Sequence, residues 1–139
     1  TIIHKLEPHC KEKKLEIRLH ADQDYNVNAD KERIEQVFVN LIRNAIQFSN
    51  MHSYIDITLT REEQDVKVMI QDYGIGIEEK HLDLIWRRFY KVDEARSIKS
   101  GAGLGLAIVK SILDLHETEV NVYSKPGEGT IFSFKLPVA

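Results

Sequence analysis

The chain has 139 residues, 42% hydrophobic and 29% charged, with a formal net charge of −3 and one cysteine. That is one domain, residues 1–139, long enough to bury roughly 68% of its unfolded surface without staples. The acidic balance offers no general attraction to nucleic acid or anionic lipid, Cys10 alone excludes an intrachain disulfide, and no apolar run approaches the ~20 residues that span a bilayer.

The chain opens directly in patterned sequence and carries no signal-peptide pattern, so it reads as a piece of a longer protein. Ile2, Ile3, Leu6 and Cys10 recur at helical spacing, and Pro8 keeps that helix short or kinked. Leu15, Ile17 and Leu19 alternate with polar residues as in a half-buried strand, and Val27 starts a short second one. Asp30 is an N-cap for the strongest helix, which runs to Phe48 with Ile34, Val37, Phe38, Leu41, Ile42, Ala45 and Phe48 in one stripe. Strands over 54–60 and 66–71 read as a hairpin, followed by a short helix over 78–88. The polar stretch 93–100 reads as a mobile loop. A second long helix runs from Leu104 to about Leu115. Strands over 119–123 and 130–136 flank the turn 126–129 and close the chain. The expected fold is an α/β (α+β) two-layer sandwich, a mixed five-stranded sheet with helices on one face.

All seven glycines fall in three clusters at alternate positions: Gly74 and Gly76; Gly101, Gly103 and Gly105; Gly127 and Gly129. Glycine is required where backbone takes positive φ or approaches a ligand closely, so this concentration suggests one bound molecule. Gly101-Ala-Gly-Leu-Gly-Leu106 runs into a helix, and free N–H groups at a helix N-terminus suit phosphate, although a plain helix-entry loop has the same pattern. The dinucleotide fingerprint fails because Leu106 or Glu79 stands where its last glycine belongs, and the P-loop fails because no Gly-Lys pair occurs. Asp72-Tyr73-Gly74-Ile75-Gly76 sits at a strand end. Its carboxylate can accept from an exocyclic amine and its glycines can pass under a base, but it also fits an ordinary turn. Asn40 and Asn44, four apart, share the flank of the long helix's apolar stripe. Two neutral amide oxygens there suit a hard cation that arrives with phosphates, and two solvated helix residues are the plainer alternative. Arg87, Arg88 and Lys91 surround Phe89 and Tyr90, either as phosphate-neutralising cations or as an amphipathic segment. None of the six histidines forms a metal-ligand set.

In this order the segments resemble the ATP-binding catalytic domain of bacterial sensor histidine kinases. The wider superfamily includes gyrase, MutL-type repair proteins and heat-shock chaperone ATPases. The resemblance runs from about Lys13 to Pro137. Glu35-Gln36-Val37 through Asn40, Asn44 and Phe48-Ser49 match the N box, Asp72 through Ile77 the G1 box and Arg88 through Asp93 the F box. Gly101 through Lys110 match the G2 box, and Gly127 through Phe132 the closing Gly/Thr turn. The F and G2 boxes favour a histidine kinase over the other branches.

The resemblance implies a Bergerat fold and a cytoplasmic domain of a membrane-anchored, two-component sensor. It implies ATP and Mg²⁺ as cofactors, and an enzyme that donates the γ-phosphoryl group to a histidine on a separate dimerisation domain. A cognate response regulator is the further partner, with no nucleic acid and no direct membrane contact. Asn44 would ligand Mg²⁺ with Asn40, and Asn40 and Lys91 would serve catalysis. ATP would be held by Asn40, Asn44, Phe48, Asp72, Gly74, Gly76, Ile77, Arg88, Lys91, Gly101, Gly103, Leu104, Gly105, Leu106 and Thr130. Within that set Asp72 would accept from the adenine amine, Phe48 would face the base, and 93–100 would be the ATP lid. No histidine here sits in the family's acceptor pattern.

Two positions depart from the family. Gln47 stands where Lys or Arg is usual, removing a charge-assisted phosphate contact worth about 1.5–3 kcal/mol. Glu117-Thr118 replaces Gly-Gly after His116. Two other readings remain open at this point: a non-catalytic nucleotide-sensing or docking module, motivated by Gln47, and a related anti-sigma serine kinase.

Overall fold

A computed structural model describes residues 13–23, 25–87 and 105–139. The expected N-terminal helix, the F box and most of the G2 run lie outside them. In chain order the elements are β1 (Glu16–Ala21), α1 (Lys31–Phe48), β2 (Tyr54–Glu62), β3 (Asp65–Asp72), a 3-10 turn (Glu79–His81), α2 (Gly105–Leu115), β4 (Asn121–Lys125) and β5 (Gly129–Pro137). The strands form one mixed sheet in the order β1-β2-β3-β5-β4. β1 runs parallel to β2, which requires a crossover, and α1 supplies it. Every other pairing is antiparallel.

α1 forms because its ends and its face agree. The Asp30 carboxylate accepts the Arg33 amide at 3.2 Å and Glu32 sits in the first turn. The last turn has no basic residue of its own. Lys13 answers from outside, donating from Nζ to the carbonyls of Ile46 (2.9 Å), Gln47 (2.6 Å) and Ser49 (3.1 Å). Ile34, Val37, Leu41, Ile42, Ala45 and Ile46 are buried against the sheet. There they meet Ile55 and Ile57 of β2, Val68 and Ile70 of β3, and Phe132 and Phe134 of β5. Phe38 packs edge-on against Phe134 at 5.9 Å.

β3 shows the period of two without a break: Val66, Val68, Ile70 and Asp72 face the helices, while Asp65, Lys67, Met69 and Gln71 face away. The last core-facing position is therefore a carboxylate.

Three expectations need correction. The expected helix over 78–88 is not regular in its described part, 78–87: after Glu79–His81, three-residue bonds dominate (Leu82 N–H to Glu79 O, Leu84 N–H to His81 O, Arg87 N–H to Leu84 O). Apolar residues three apart suit such turns as well as an α-helix. Leu82 and Trp86 dock on the core, and Trp86 stacks edge-on with Phe132 at 5.7 Å. Val27 makes only an isolated bridge to Val138. Leu19 is 55% exposed, because β1 is an edge strand and has a neighbour on one side only.

Candidate functional site

One end of the sheet gathers Phe48, Asp72, Ile77 and Thr130 among the sequence-predicted residues. The last residue of β3, Asp72, pairs across the ladder with Thr130 near the start of β5. Both are buried, at 2% and 4% exposure. The Gly74-N–H donates to Asp72 Oδ1 at 2.9 Å. Burial pushes the Asp72 carboxyl up to about 6, while the backbone N–H groups of Gly74 and Thr130 pull against that shift. No cation pairs with it among the described residues. A carboxylate shifted this far by burial, at a strand end, marks a candidate functional group.

Three of the described glycines, Gly74, Gly76 and Gly129, have a packing role that the sequence alone does not suggest. A Cβ on Gly74 would stand 1.8 Å from the Phe48 carbonyl oxygen, so that glycine lets the Asp72 loop lie against the end of α1. Ile75 N–H then donates to Phe48 O at 3.1 Å. Gly129, at φ +97°, would place a Cβ 2.1 Å from Asp72 O. These glycines let protein backbone meet protein backbone, and so bring Phe48, Asp72, Ile77 and Thr130 to one place. Gly76 packs the same way against Lys125.

α1 supplies Asn40 and Asn44, both half-buried. Asn40 Nδ2 donates to the Gly105 carbonyl at 3.4 Å, joining α1 to the first turn of α2. Because that carbonyl can only accept, the amide nitrogen must face it, and Oδ1 is turned elsewhere. Among the described residues the Asn44 side chain has no hydrogen-bond partner. Two amide oxygens one helical turn apart fit a magnesium ion that brings phosphate oxygens and water as its other ligands. No group of three or more His, Cys, Asp or Glu side chains that could hold a metal occurs among the described residues. Leu106 packs on the core and Ile77 is buried in it. Arg88, Lys91, Gly101, Gly103, Leu104 and the polar stretch 93–100 lie outside the described residues.

Sequence reasoning missed two residues. Lys13 holds the C-terminal carbonyls of α1, some 33 to 36 residues away in sequence, and local pattern cannot show that. Ser124 sits on β4 with its hydroxyl bonded to Ile77, Gly129 and Thr130. Its signal was available: Val122 and Ser124 are the inward positions of β4, and a serine facing the core needs partners. A hollow of about 500 Å³ beside Lys67, His116 and Lys135 lies at the other end of β3 and β5, with none of the predicted residues in it.

The sheet order and the helices packed on it define an α/β sandwich, and comparison with known proteins specifies its family. Residues 29–139 match the family described as histidine kinase-, DNA gyrase B- and HSP90-like ATPase, and the chain belongs to that family. It is 39% identical over 124 residues to the sensor histidine kinase WalK of Bacillus subtilis, spanning 87% of this chain and 20% of WalK. The chain thus covers about a fifth of that relative's length. Among solved structures it is similar to the nucleotide-free catalytic domain of histidine kinase ThkA. The TM-score is 0.84 at 27% identity, over 99% of this chain and 88% of that one. It is equally similar to full-length ShkA in complex with AMPPNP, with TM-score 0.84 and 26% identity over 99% of this chain and 29% of that one. No described helix is long and apolar enough to cross a membrane.

Proposed function

We propose that this domain binds Mg-ATP and donates the γ-phosphoryl group to a histidine on a separate dimerisation domain, as the catalytic piece of a longer sensor kinase. The observation that carries the reading is Asp72, a buried carboxylate with raised pKa and no cation partner among the described residues, at the strand end where the family resemblance puts the adenine contact. The full-length ShkA structure, similar along nearly the whole of this chain, is in complex with AMPPNP, an ATP analogue, which supports the same ligand here.

In this reading the chain's work is placement and charge neutralisation. Asp72 accepts from the adenine amine, and Thr130 and Phe48 flank the base. Asn44 and Asn40 supply amide oxygens to magnesium, which in turn neutralises the phosphates. Lys91 and Arg88 reach the phosphates, and Gly101 through Leu106 present backbone N–H groups at the start of α2. The phosphoacceptor histidine comes from the dimerisation domain, and a response regulator takes the phosphoryl group next.

The test is titration with ATP, with and without Mg²⁺, followed by incubation with a separately supplied acceptor domain. Acid-labile, base-stable phosphate on that domain supports the reading, and phosphoserine instead points to the serine kinase branch. Gln47 favours one other reading, a module that senses nucleotide without transfer. Saturable ATP binding with no phosphate on any acceptor domain would select it.

A further inference from the structure

The imidazole of His116 bridges α1 and α2, and its partners fix which nitrogen carries the proton. The Ile112 carbonyl, 2.9 Å from Nδ1, can only accept, so Nδ1 holds the proton. The Asp30 amide, 3.1 Å from Nε2, can only donate, so Nε2 offers a lone pair. His116 is therefore the neutral Nδ1–H tautomer. Asp30 is equally committed: its carboxylate accepts from the Arg33 amide, its carbonyl accepts from the Ile34 amide at 2.9 Å, and its own N–H goes to His116. The bond pins the start of α1 to the end of α2. Further along the pair, Asn40 Nδ2 meets the Gly105 carbonyl. The helices thus run antiparallel, joined by hydrogen bonds at two points roughly 15 Å apart, the rise of helix between Asp30 and Asn40. The side chains they bury, Ile34, Val37 and Leu41 from α1 and Val109, Ile112 and Leu113 from α2, attract without direction. The two hydrogen bonds therefore set how far one helix sits along the other.

We propose that His116 is a positioning residue for the metal and phosphate half of the pocket: acting through α2, it sets the Gly105 turn against Asn40. The inference rests on the nucleotide reading above, in which α1 supplies amide oxygens to the metal and the start of α2 faces the phosphates. Mg-ATP spans both helices in that reading, so its affinity depends on their register. ADP without metal lacks the ion that α1 would hold, and its base contacts lie on β3 and β5. Loss of the bond between His116 and Asp30 therefore separates the two ligands, whereas a general loosening of the fold weakens both alike.

The experiment compares Mg-ATP with metal-free ADP by calorimetry on the 139-residue chain at pH 8, where a free imidazole is neutral. The quantity read is the ratio of the two dissociation constants. His116→Asn keeps a donor for the Ile112 carbonyl and is too short to reach Asp30. It is expected to weaken Mg-ATP by about three- to tenfold, up to the scale of one hydrogen bond, and to leave ADP unchanged. His116→Gln carries an amide oxygen out to the Nε2 position and is expected to restore the wild-type ratio. Asp30→Pro suits the φ of −72° at that position and deletes the N–H from the other side, so it should shift the ratio as His116→Asn does. Its lost cap lowers stability without moving the ratio, which keeps the test open if His116→Asn does not fold. A long-range proton–nitrogen NMR spectrum of the nucleotide-free chain should show the Nδ1–H tautomer. The Nε2–H tautomer, an unchanged ratio in folded His116→Asn or Asp30→Pro, no rescue by folded His116→Gln, or equal loss of both ligands overturns the role of His116 while ATP binding by the wild type still stands. Wild-type chain that binds neither nucleotide overturns the nucleotide reading and this inference together.

Discussion

Asp72 is held in a place that opposes its charge, and the cost has a definite sign. Its folded-state pKa is raised from 3.8 to about 6 by burial. The neutral form is therefore favoured in the folded protein. Its stability contribution is fully present below the unfolded value and is lost as pH rises through about 6. Asp72→Asn keeps an oxygen to accept from Gly74 and removes the charge. At pH 8 we expect it to raise unfolding stability by up to about 3 kcal/mol and to flatten the fall between pH 4 and 7, measured by urea titration across pH. The same variant should lose at least tenfold in ATP affinity, since its amide puts a donor where an acceptor is needed. Asp56 behaves oppositely. Hydrogen bonds from Arg18, then Tyr73 and His20, outweigh its burial and hold its carboxyl well below the usual range. Its contribution is present above the ordinary carboxylate pKa and fades only in stronger acid, so the two windows are separable. Gln47 is the other residue with a sharp expectation. Gln47→Lys restores the family's cation, and we expect ATP binding to tighten by about 10-fold or more in calorimetry.

The elements differ in how far local pattern reveals them. α1 is legible because the cap at Asp30, the acidic first turn and a continuous apolar stripe all agree. β2 and β3 are legible because their alternation is clean and the intervening turn is short. The 78–88 segment was not, since its apolar spacing serves consecutive turns as readily as a helix. Leu19 misled because alternation reports which way a side chain points and says nothing of whether the strand is at an edge. The end of α2 turns on backbone conformation. Glu117 adopts φ +55°, and Thr118 N–H closes back on Leu113 O at 3.1 Å. This is a left-handed helix terminus that glycine adopts without the Cβ clash. Replacing the family's glycine here changes the strain at the turn and leaves its shape intact. Glu117→Gly should stabilise the fold by about 0.5–1 kcal/mol with nucleotide binding unchanged, as read from the urea midpoint. The Lys13 clamp gives the opposite expectation. Lys13→Met removes donors to two α1 carbonyls and to that of the C-cap Ser49 and should cost about 1–3 kcal/mol.

At the scale of the molecule, the sheet order places the candidate site. β5 lies between β3 and β4, so Thr130 falls beside Asp72 and Ser124 beside Thr130, although β3 and β5 are far apart in sequence. α1 and α2 pack against each other and bring Asn40 to Gly105 at the edge of the same end. None of this could be read from local periodicity, because strand order is set by long-range pairing. The candidate site was legible all the same, because Asn40, Asn44, Asp72 and Thr130 stand in a recognisable order along the chain. What stayed hidden was the support behind it: Lys13 on α1, Ser124 on Thr130, and the backbone packing that requires Gly74 and Gly129. The central claim is that this end of the sheet is a Mg-ATP pocket built on Asp72. Calorimetric titration of the chain with ATP, with and without Mg²⁺ and beside Asp72→Ala, tests it most directly. Saturable binding that strengthens with Mg²⁺ and disappears in folded Asp72→Ala is the predicted result. Binding that is indifferent to Asp72, or none up to millimolar ATP in folded protein, would contradict it.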